Sequence, residues 1–339
     1  MRRVSITSEH KYEVQVGANW KNELTKIEKA HEKILIFAPK KLEKLLKLSS
    51  KSKVVYLPDG EAQKDLKTLE KLLGVAGKLG IKRDGAIVAI GGGATTDVSG
   101  FVAATWLRGI DWYSFPTTIA GSVDAAIGGK TGINSEFGKN TIGSFHSPKK
   151  VIVDLSFIKS LSQRDFTAGL AEVVKSGFIA DRKILKLIDK PLENLEELVY
   201  RSVKVKGDVV SKDFREGKLR EILNYGHTLG HAIEKLEKYQ LRHGEAVSIG
   251  LVFAAELSNI RGKLSDEIVE MHRQILKTLS LPTSYDRGAK NKLFTLMESD
   301  KKARSSGLRF IGLSGIGKPI WMERVTRKEL DAAFERISN

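Results

Sequence analysis

Short apolar runs alternate with amphipathic stretches through the first half of the chain. The stretch 66–79 places leucine and alanine on one face at helical spacing, and a second helix is predicted from Thr95 or Thr96 to Leu107. An amphipathic run also covers residues 40–48. Strands that alternate with helices are typical of a parallel sheet covered by helices, so we predict a Rossmann-like α/β domain. The predicted strands are residues 33–38, 54–58, 86–90, 112–116 and 151–155.

The pattern changes after about residue 160, where the apolar spacing becomes mostly helical. Only one short β-like stretch, residues 308–313, appears in this part. We therefore expect two domains, an α/β domain over residues 1–160 and a mostly helical domain over residues 161–339. The predicted helices are residues 168–178, 192–208, 228–239, 246–261 and 266–279.

Composition restricts the chemistry that this chain can use. Its 339 residues are enough for two domains, and it has no cysteine. The lack of cysteine excludes a disulfide scaffold, a thiolate zinc site and a cysteine nucleophile. Any bound metal must therefore be held by histidine, aspartate or glutamate.

The chain carries a formal charge of +16, from 57 Lys and Arg against 41 Asp and Glu. This excess is compatible with a nucleic-acid binder, a solvated surface or an enzyme for anionic substrates. Lysines such as those in residues 40–53 alternate with glutamate and leucine, which favours solvated helix faces. No nucleic-acid motif, membrane-length apolar segment or signal-peptide core is present. We expect a cytoplasmic protein with no nucleic-acid or membrane partner.

Two segments follow predicted strands and could bind a nucleotide. Residues 86–97, AIVAIGGGATTD, lead from a strand through three glycines into a helix, where backbone N–H groups can meet a phosphate. Thr96 occupies the third glycine position of the dinucleotide fingerprint, so a plain tight turn is the alternative. Residues 58–64, PDGEAQK, offer Asp59 and Glu61 as acceptors for ribose hydroxyls, with a capped helix start as the alternative.

A dense polar stretch covers residues 117–140, TTIAGSVDAAIGGKTGINSEFGKN, and includes five glycines. We interpret it as a glycine-rich loop that presents lysines and amides to a phosphate or a polyhydroxy substrate. A flexible loop with ordinary lysines is the alternative. The polar residues of the stretch include Asp124, Lys130, Asn134, Lys139 and Asn140.

The second half contains a candidate metal site. Glu172 and Lys175 share one face of an apolar helix, and such charges are costly unless they are paired or coordinated. His227 and His231 lie four apart on one helix face, and His243 follows. Histidines with a glutamate form an accepted catalytic zinc set. A surface salt bridge and ordinary core or surface histidines are the alternatives.

In this order, the motifs resemble the 3-dehydroquinate synthase family of sugar-phosphate cyclases, from about Val54 to Gly317. The resemblance implies an N-terminal NAD-binding α/β domain, a mostly helical domain that binds metal and substrate, and a homodimer. The matching motifs are PDGE-x-x-K, GGG-x-x-x-D-x-x-GF, PTT, VD-x-x-x-GGKTG-x-N, GKN-x-IG-x-F, AG-x-AEV-x-K, LN-x-GH-x-x-GHA-x-E, HGEAV and DKK.

The resemblance also assigns roles residue by residue. The implied metal ligands, for zinc or alternatively cobalt, are Glu172, His227 and His243. The implied NAD-binding positions are Asp59, Gly60, Glu61, Lys64, Gly92, Gly93, Asp97, Thr117, Thr118, Lys130, Lys139, Phe157 and Ser160. The implied substrate or catalytic positions are Asp124, Lys130, Asn140, Lys175, Lys206, Arg220, Asn224 and His231, one of Lys301 and Lys302, and Arg108, a phosphate-contacting arginine that the family can supply from a neighbouring subunit.

The family's reaction explains these residue types. It converts 3-deoxy-D-arabino-heptulosonate 7-phosphate into 3-dehydroquinate and phosphate. The C5 alcohol is transiently oxidised with NAD, phosphate is eliminated, the ketone is reduced again and an intramolecular aldol step closes the ring. A related cyclase with another sugar phosphate, or a metal-dependent polyol dehydrogenase of similar fold, remains an alternative.

Two positions depart from the family pattern. Thr96 stands where the family commonly has glycine, next to the expected pyrophosphate position. Ala62 and Gln63 replace a more usual Gln-Tyr pair near the expected adenosine. Neither departure touches a predicted metal ligand or Lys130.

Overall fold

The structure is a computed structural model that describes residues 1–46, 52–302 and 309–339, with side chains for all of these except 299–302. The chain forms two compact units. The first unit contains residues 1–161 and 206–215, and the second contains residues 162–205 and 216–339.

A seven-stranded sheet forms the centre of the first unit, in the order β1-β2-β9-β6-β5-β3-β4. Every neighbouring pair is parallel except β1 and β2. Two further strands, β7 and β8, form a separate antiparallel hairpin. The strands are β1 (Arg2–Thr7), β2 (Lys11–Val16), β3 (Ile34–Pro39), β4 (Ser52–Leu57), β5 (Ala86–Gly91), β6 (Asp111–Pro116), β7 (Lys130–Ser135), β8 (Gly138–Phe145) and β9 (Lys150–Val153).

Helices cover both faces of this sheet, because successive side chains of a strand point to opposite faces. In β3, Leu35 and Phe37 pack into one apolar cluster with side chains of α2 and α3. Ile34 and Ile36 pack into the other cluster, which contains side chains of α1. The unit is therefore a helix–sheet–helix sandwich. Its helices are α1 (Trp20–Ala30), α2 (Leu66–Lys78), α3 (Gly93–Thr105) and the short α4 (Leu155–Lys159).

The second unit is mostly helical, with one two-stranded hairpin. Its helix α9 is buried along most of its length, which explains why the sequence there is apolar on all sides. None of the described helices is long and apolar enough to cross a membrane. The remaining elements are α5 (Gln163–Ile179), α6 (Arg182–Leu187), α7 (Leu195–Lys212, whose end belongs to the first unit), α8 (His227–Leu236), α9 (His243–Ile260), α10 (Asp266–Thr278), α11 (Lys290–Lys302), β10 (Phe310–Leu313), β11 (Pro319–Met322) and α12 (Arg327–Glu335).

The predicted fold class is confirmed: a parallel-sheet α/β unit is followed along the chain by a mostly helical one. Three local predictions differ from the structure. In the second unit, the single β-like stretch expected over 308–313 falls on β10, which pairs with an unpredicted second strand, β11. The run 40–48 contains a single 3₁₀ turn, Lys40–Leu42, and residues 47–51 lie outside the described part of the chain. The stretch 117–140 is not a loop throughout, because it contains a π-helical turn, Gly121–Ala125, as well as β7 and the start of β8.

Glycine explains why the β7–β8 hairpin escapes sequence prediction. A Cβ on Gly132 would lie 2.6 Å from the carbonyl oxygen of Ile142, and one on Gly143 would lie 2.2 Å from that of Thr131. The two strands therefore need glycine where they face each other, although glycine usually indicates a loop. Ile133 is fully buried in the cluster with α2 and α3, which anchors the hairpin.

Candidate active site

Close helix packing in the second unit brings the three predicted metal ligands together. A Cβ on Gly250 in α9 would lie 1.9 Å from the carbonyl oxygen of Gly226, just before α8. A Cβ on Gly244 would lie 1.7 Å from the carbonyl oxygen of Ala168 in α5. Glycine at these positions lets α9 pack closely against both the start of α8 and α5. The ligands that these helices carry are Glu172 in α5, His227 in α8 and His243 in α9.

The Glu172 carboxylate faces both imidazole rings. Its Oε1 lies 3.3 Å from His227 Nε2 and 3.1 Å from His243 Nε2. One ligand atom of each residue lies within 4.8 Å of the others. The second oxygen, Oε2, forms an ion pair with Lys175, and both of these side chains are buried. The buried charges that were noted in the sequence are thus paired with each other.

The Nδ1 atom of each of these two imidazole rings also has a hydrogen-bond partner. His243 Nδ1 lies 3.1 Å from Glu234 Oε2, and His227 Nδ1 lies 3.2 Å from the carbonyl oxygen of Tyr225. These contacts direct Nε2 of both rings towards Glu172. The exposed ring of His231 lies 5.2 Å from the His227 ring, centroid to centroid.

The charges in this cluster shift its pKa values. Burial alone raises the pKa of Glu172, but the Lys175 ammonium and the two imidazoles hold it well below its ordinary value. Burial and Lys175 lower the pKa of His227. Burial also disfavours the charged form of His243, but hydrogen bonds to Glu172 and Glu234 raise its pKa to about 10. The Glu172 carboxylate is therefore ionised at neutral pH, as a metal ligand must be.

This donor set fits a divalent transition metal. Ligand atoms about 2.0–2.1 Å from a tetrahedral zinc ion are about 3.3 Å apart, close to the separations of Glu172 Oε1 from the two Nε2 atoms. One ligand atom each of His231, Glu234 and His243 also lies within 4.8 Å of the others. This second cluster would have to use the His243 nitrogen that faces Glu234, whereas the buried Glu172 cluster uses the other nitrogen.

In the first unit, the turn between β5 and α3 fits a dinucleotide pyrophosphate. A Cβ on Gly93 would lie 3.0 Å from Ala125 Cβ, and one on Gly92 would lie 3.3 Å from Thr118 Cγ2. The helix N-terminus has no side-chain cap at Gly92, which suits an anion. The turn follows β5, which is adjacent to β3 in the sheet. The next strand after β5, β6, lies on one side of this pair, and the next strand after β3, β4, lies on the other side. The turn therefore lies at the topological switch point of the sheet.

The two departures from the family pattern have different surroundings. Thr96 is buried, and its hydroxyl lies 3.3 Å from the Gly92 carbonyl oxygen and 3.4 Å from Ser114 Oγ. Its side chain thus packs against β6. Gln63 is also buried, and its Nε2 donates to the carbonyl oxygen of Gly60 at 3.0 Å. Ala62 is exposed.

A buried lysine connects several predicted nucleotide and substrate positions in the first unit. Lys64 Nζ lies 2.7 Å from Asp97 Oδ2 and donates to the amide oxygen of Asn140. Asp97 and Glu61 raise the pKa of Lys64 although burial lowers it. Asn134 completes the network, because it donates to Glu61 Oε1 at 2.9 Å and accepts from the Asn140 backbone N–H at 3.0 Å. Asn134 was named among the polar residues of the stretch 117–140, but the family resemblance assigned it no specific position, although it is the last residue of the GGKTG-x-N motif.

A second ion pair in this unit joins two predicted substrate positions. Lys206 Nζ lies 2.6 Å from both the carbonyl oxygen and Oδ1 of Asp124. Lys130 is exposed at the start of β7, and Lys139 is half-buried in β8. Arg108 is exposed, and its guanidinium makes no hydrogen bond or ion pair with any residue that the structure describes.

The other predicted site residues lie in varied surroundings. Arg220 is 2% exposed in a short helical turn that also carries Asn224. Phe157 packs its ring against Trp20 in the core, so only its backbone is available to a cofactor, while Ser160 is exposed. Asp59 and Gly60 are exposed, Thr117 is buried and Thr118 is half-buried. The side chains of Lys301 and Lys302 lie outside the described residues.

Comparison with known proteins identifies the family of this chain. The family profile for the 3-dehydroquinate synthase N-terminal region matches residues 54–168, and the profile for the C-terminal region matches residues 169–303. A 3-dehydroquinate synthase of Mycolicibacterium gilvum is 50% identical over 292 residues, which cover 84% of this chain and 81% of that protein. One of Corynebacterium diphtheriae is 43% identical over 355 residues, which cover 100% and 99%.

A solved structure shows the same fold over nearly the whole chain. It is 2-deoxy-scyllo-inosose synthase in complex with carbaglucose-6-phosphate, NAD⁺ and Co²⁺, and it superposes with a TM-score of 0.86 at 26% identity. The match covers 98% of this chain and 99% of that one. Together with the two profiles and the relatives, it shows that this chain belongs to the 3-dehydroquinate synthase family.

Proposed function

We propose that the chain converts 3-deoxy-D-arabino-heptulosonate 7-phosphate into 3-dehydroquinate and phosphate, as a carbon–oxygen lyase of the shikimate pathway. The observation that carries this proposal is the buried cluster of Glu172, His227 and His243, with Lys175 beside it. Two relatives named 3-dehydroquinate synthase are 50% and 43% identical to this chain, whereas the 2-deoxy-scyllo-inosose synthase structure is only 26% identical. This difference favours the heptulosonate phosphate over the substrates of other cyclases.

The ligand residues Glu172, His227 and His243 would hold a divalent metal, zinc or cobalt. The turn at Gly92 and Gly93 would hold the pyrophosphate of NAD. When bound, these groups supply a Lewis acid for neighbouring hydroxyls and a hydride acceptor that is regenerated in each turnover. A dehydrogenase-type oxidation at C5 makes the neighbouring C6 proton acidic, and this allows phosphate to leave.

Residues of the second unit would keep Glu172 ionised and bind the carboxylate and the phosphate of the substrate. Lys175 keeps Glu172 ionised, so that the carboxylate remains a ligand at neutral pH. Arg220 is buried, and a buried guanidinium suits a planar carboxylate such as the one on this substrate. The exposed imidazole of His231 can bind the phosphate and exchange a proton with it.

The first unit supplies cations and amides for the phosphate and hydroxyls. Lys130 is exposed and suits a phosphate oxygen, and Lys139 and Asn140 lie on the neighbouring strand. Lys206 is held by Asp124 and suits an anionic group of the substrate. In this proposal the substrate's own phosphate takes the C6 proton, so no strong protein base is required.

We further propose a cytoplasmic homodimer with a small-molecule substrate and no nucleic-acid or membrane partner. The basic residues that the substrate would use explain only part of the +16 charge. The remainder is consistent with solvated helix faces.

The decisive assay supplies the heptulosonate phosphate with catalytic NAD and zinc and follows phosphate, product and NADH. We expect one phosphate per dehydroquinate and no net NADH, with both products lost in the Glu172→Gln variant. Stoichiometric NADH would instead indicate a polyol dehydrogenase. Turnover of glucose 6-phosphate but not of the heptulosonate would indicate another cyclase, and either result would refute the proposed reaction.

A further inference from the structure

His272 in α10 is a fully buried histidine outside the proposed metal site. Its ring stacks on Phe178 of α5, with centroids 3.4 Å apart and an interplanar angle of 9°. Both of its nitrogens have partners. Nδ1 lies 2.7 Å from the carbonyl oxygen of Ile268, and Nε2 lies 2.9 Å from the Tyr225 hydroxyl.

These partners fix the tautomer of the ring. A carbonyl oxygen only accepts, so Nδ1 of His272 carries the hydrogen and donates to Ile268. Burial lowers the pKa of His272 to about 4, so the ring is neutral and Nε2 has only a lone pair to offer. The Tyr225 hydroxyl must therefore donate to Nε2. The hydroxyl is buried, and without this acceptor it would lose a hydrogen bond that water provides in the unfolded chain.

The same tyrosine contacts a proposed metal ligand through its backbone. The Tyr225 carbonyl oxygen accepts from His227 Nδ1 at 3.2 Å, which leaves the lone pair of His227 on Nε2, the atom that faces Glu172. Gly226 lies between the two residues with φ of 81°, a left-handed conformation that turns the chain into α8. The position of the Tyr225 side chain therefore bears directly on the orientation of His227.

We propose that Tyr225 and His272 form a positioning pair that holds His227 in the orientation and tautomer needed for metal binding. The stacking on Phe178 attaches the same imidazole to α5, the helix that carries Glu172. The buried His272 ring thus holds both α5, which carries Glu172, and the segment before α8, which carries His227. The inference rests on the proposed metal site, and neither residue is expected to touch substrate.

The test measures metal affinity directly on metal-stripped protein. Zn²⁺ and Co²⁺ are titrated in competition with a chromophoric chelator, and the visible spectrum of the Co²⁺ form reports the ligand geometry. We expect Tyr225→Phe and His272→Phe each to weaken binding about tenfold, as second contacts of metal ligands commonly do. The double variant should bind metal no more weakly than His272→Phe, because both changes break the same Tyr225–His272 hydrogen bond.

The chain offers a matched control in the other unit. Tyr113 Oη lies 2.9 Å from His31 Nε2, and His31 Nδ1 lies 2.9 Å from the carbonyl oxygen of Asp84. Tyr113→Phe removes a hydroxyl group from a similar tyrosine–histidine pair. Because this pair belongs to the first unit and the proposed metal ligands belong to the second, metal affinity should not change. An equal loss in this control would overturn the inference.

Two further outcomes separate this inference from the proposed metal site. Metal affinity within twofold of the unmodified protein in Tyr225→Phe, with the fold intact by circular dichroism, would refute the positioning pair alone, provided that His227→Ala loses the metal. Normal binding in His227→Ala would refute both the ligand set and the pair. If His272→Phe fails to fold, Tyr225→Phe decides the question, because it removes one oxygen atom and keeps the ring.

Discussion

At the scale of single residues, His243 lies between two carboxylates, and each one holds a different nitrogen of its ring. Glu172 faces Nε2 and the buried Glu234 faces Nδ1, both at 3.1 Å. A carboxylate behind a metal-binding imidazole fixes the tautomer and makes the ring a stronger ligand. We therefore expect Glu234, the last residue of the GHA-x-E motif, to support His243 as a ligand, a role that the sequence alone did not suggest.

Glu234 can be tested with two graded substitutions. Glu234→Ala removes the acceptor for His243 Nδ1–H and should weaken Zn²⁺ binding about 10- to 100-fold. Glu234→Gln keeps an acceptor oxygen without the charge, so its loss should be smaller. Competition titration of metal-stripped protein measures both, and Glu237→Ala, one turn further along the chain, is the control. Equal affinities for all three variants would contradict the assignment.

Sequence reasoning finds residues that lie in motifs more readily than residues that act through contacts. Glu172, His227 and His243 were predicted as a set through the family resemblance, and the structure brings them together, although their role as ligands stays a prediction. Tyr225 and His272 are 47 positions apart, and nothing in the local sequence indicates that they touch. Such contacts depend on how helices pack, which periodicity alone does not define.

At the scale of elements, the strands and helices with strong periodicity were predicted with ends shifted by a few residues. The strand predicted over 86–90 is Ala86–Gly91, and the helix predicted over 266–279 is Asp266–Thr278. The N-terminal β1–β2 hairpin and the β7–β8 hairpin were not predicted. The first does alternate at period two, with Val4 and Ile6 in β1 and Tyr12, Val14 and Val16 in β2, but this signal was not used. In the second, glycines interrupt the alternation.

Helix α10 carries a pH-dependent contribution to stability through His272. Its pKa falls from about 6.5 in the unfolded chain to about 4 in the folded one, because burial disfavours the charged ring. Between these values the unfolded chain binds a proton that the folded chain does not, so the free energy of unfolding falls as the pH is lowered from about 6.5 to about 4. The contribution is on the order of 3 kcal/mol.

The His272→Phe variant lacks this titration, so its free energy of unfolding should fall less between pH 7.0 and pH 4.5 than that of the unmodified protein. Urea denaturation at the two pH values measures both free energies, and equal urea dependence in the two proteins is the control for comparable unfolding. The other histidines are present in both proteins, so their contributions cancel in the difference. Parallel pH dependences would contradict the role of His272.

At the scale of the whole molecule, Arg108 is a predicted site residue with no partner for its guanidinium within the described chain. It lies in an exposed turn where Leu107 has φ of 50° and Arg108 has φ of 66°. Non-glycine residues in this left-handed region cost on the order of 1 kcal/mol each, and such strain often marks functional sites. The exposure of Arg108 is compatible with the expectation, taken from the family resemblance, that this arginine serves a neighbouring subunit.

Mixed dimers can show whether Arg108 acts across a subunit interface. Arg108→Ala and Glu172→Gln should each be inactive alone. In a dimer of the two, the Arg108→Ala subunit keeps its metal ligands and would receive Arg108 from its partner, so one of the two sites should work. With random pairing, half of the dimers are mixed, and co-expression should restore about one quarter of the unmodified activity in a symmetric dimer. Lys130→Ala paired with Glu172→Gln is the control, because a lysine that acts within its own subunit cannot be supplied by the partner. Activity no higher than in this control would place Arg108 in its own subunit's site, since the restored site exists only if the arginine crosses the interface.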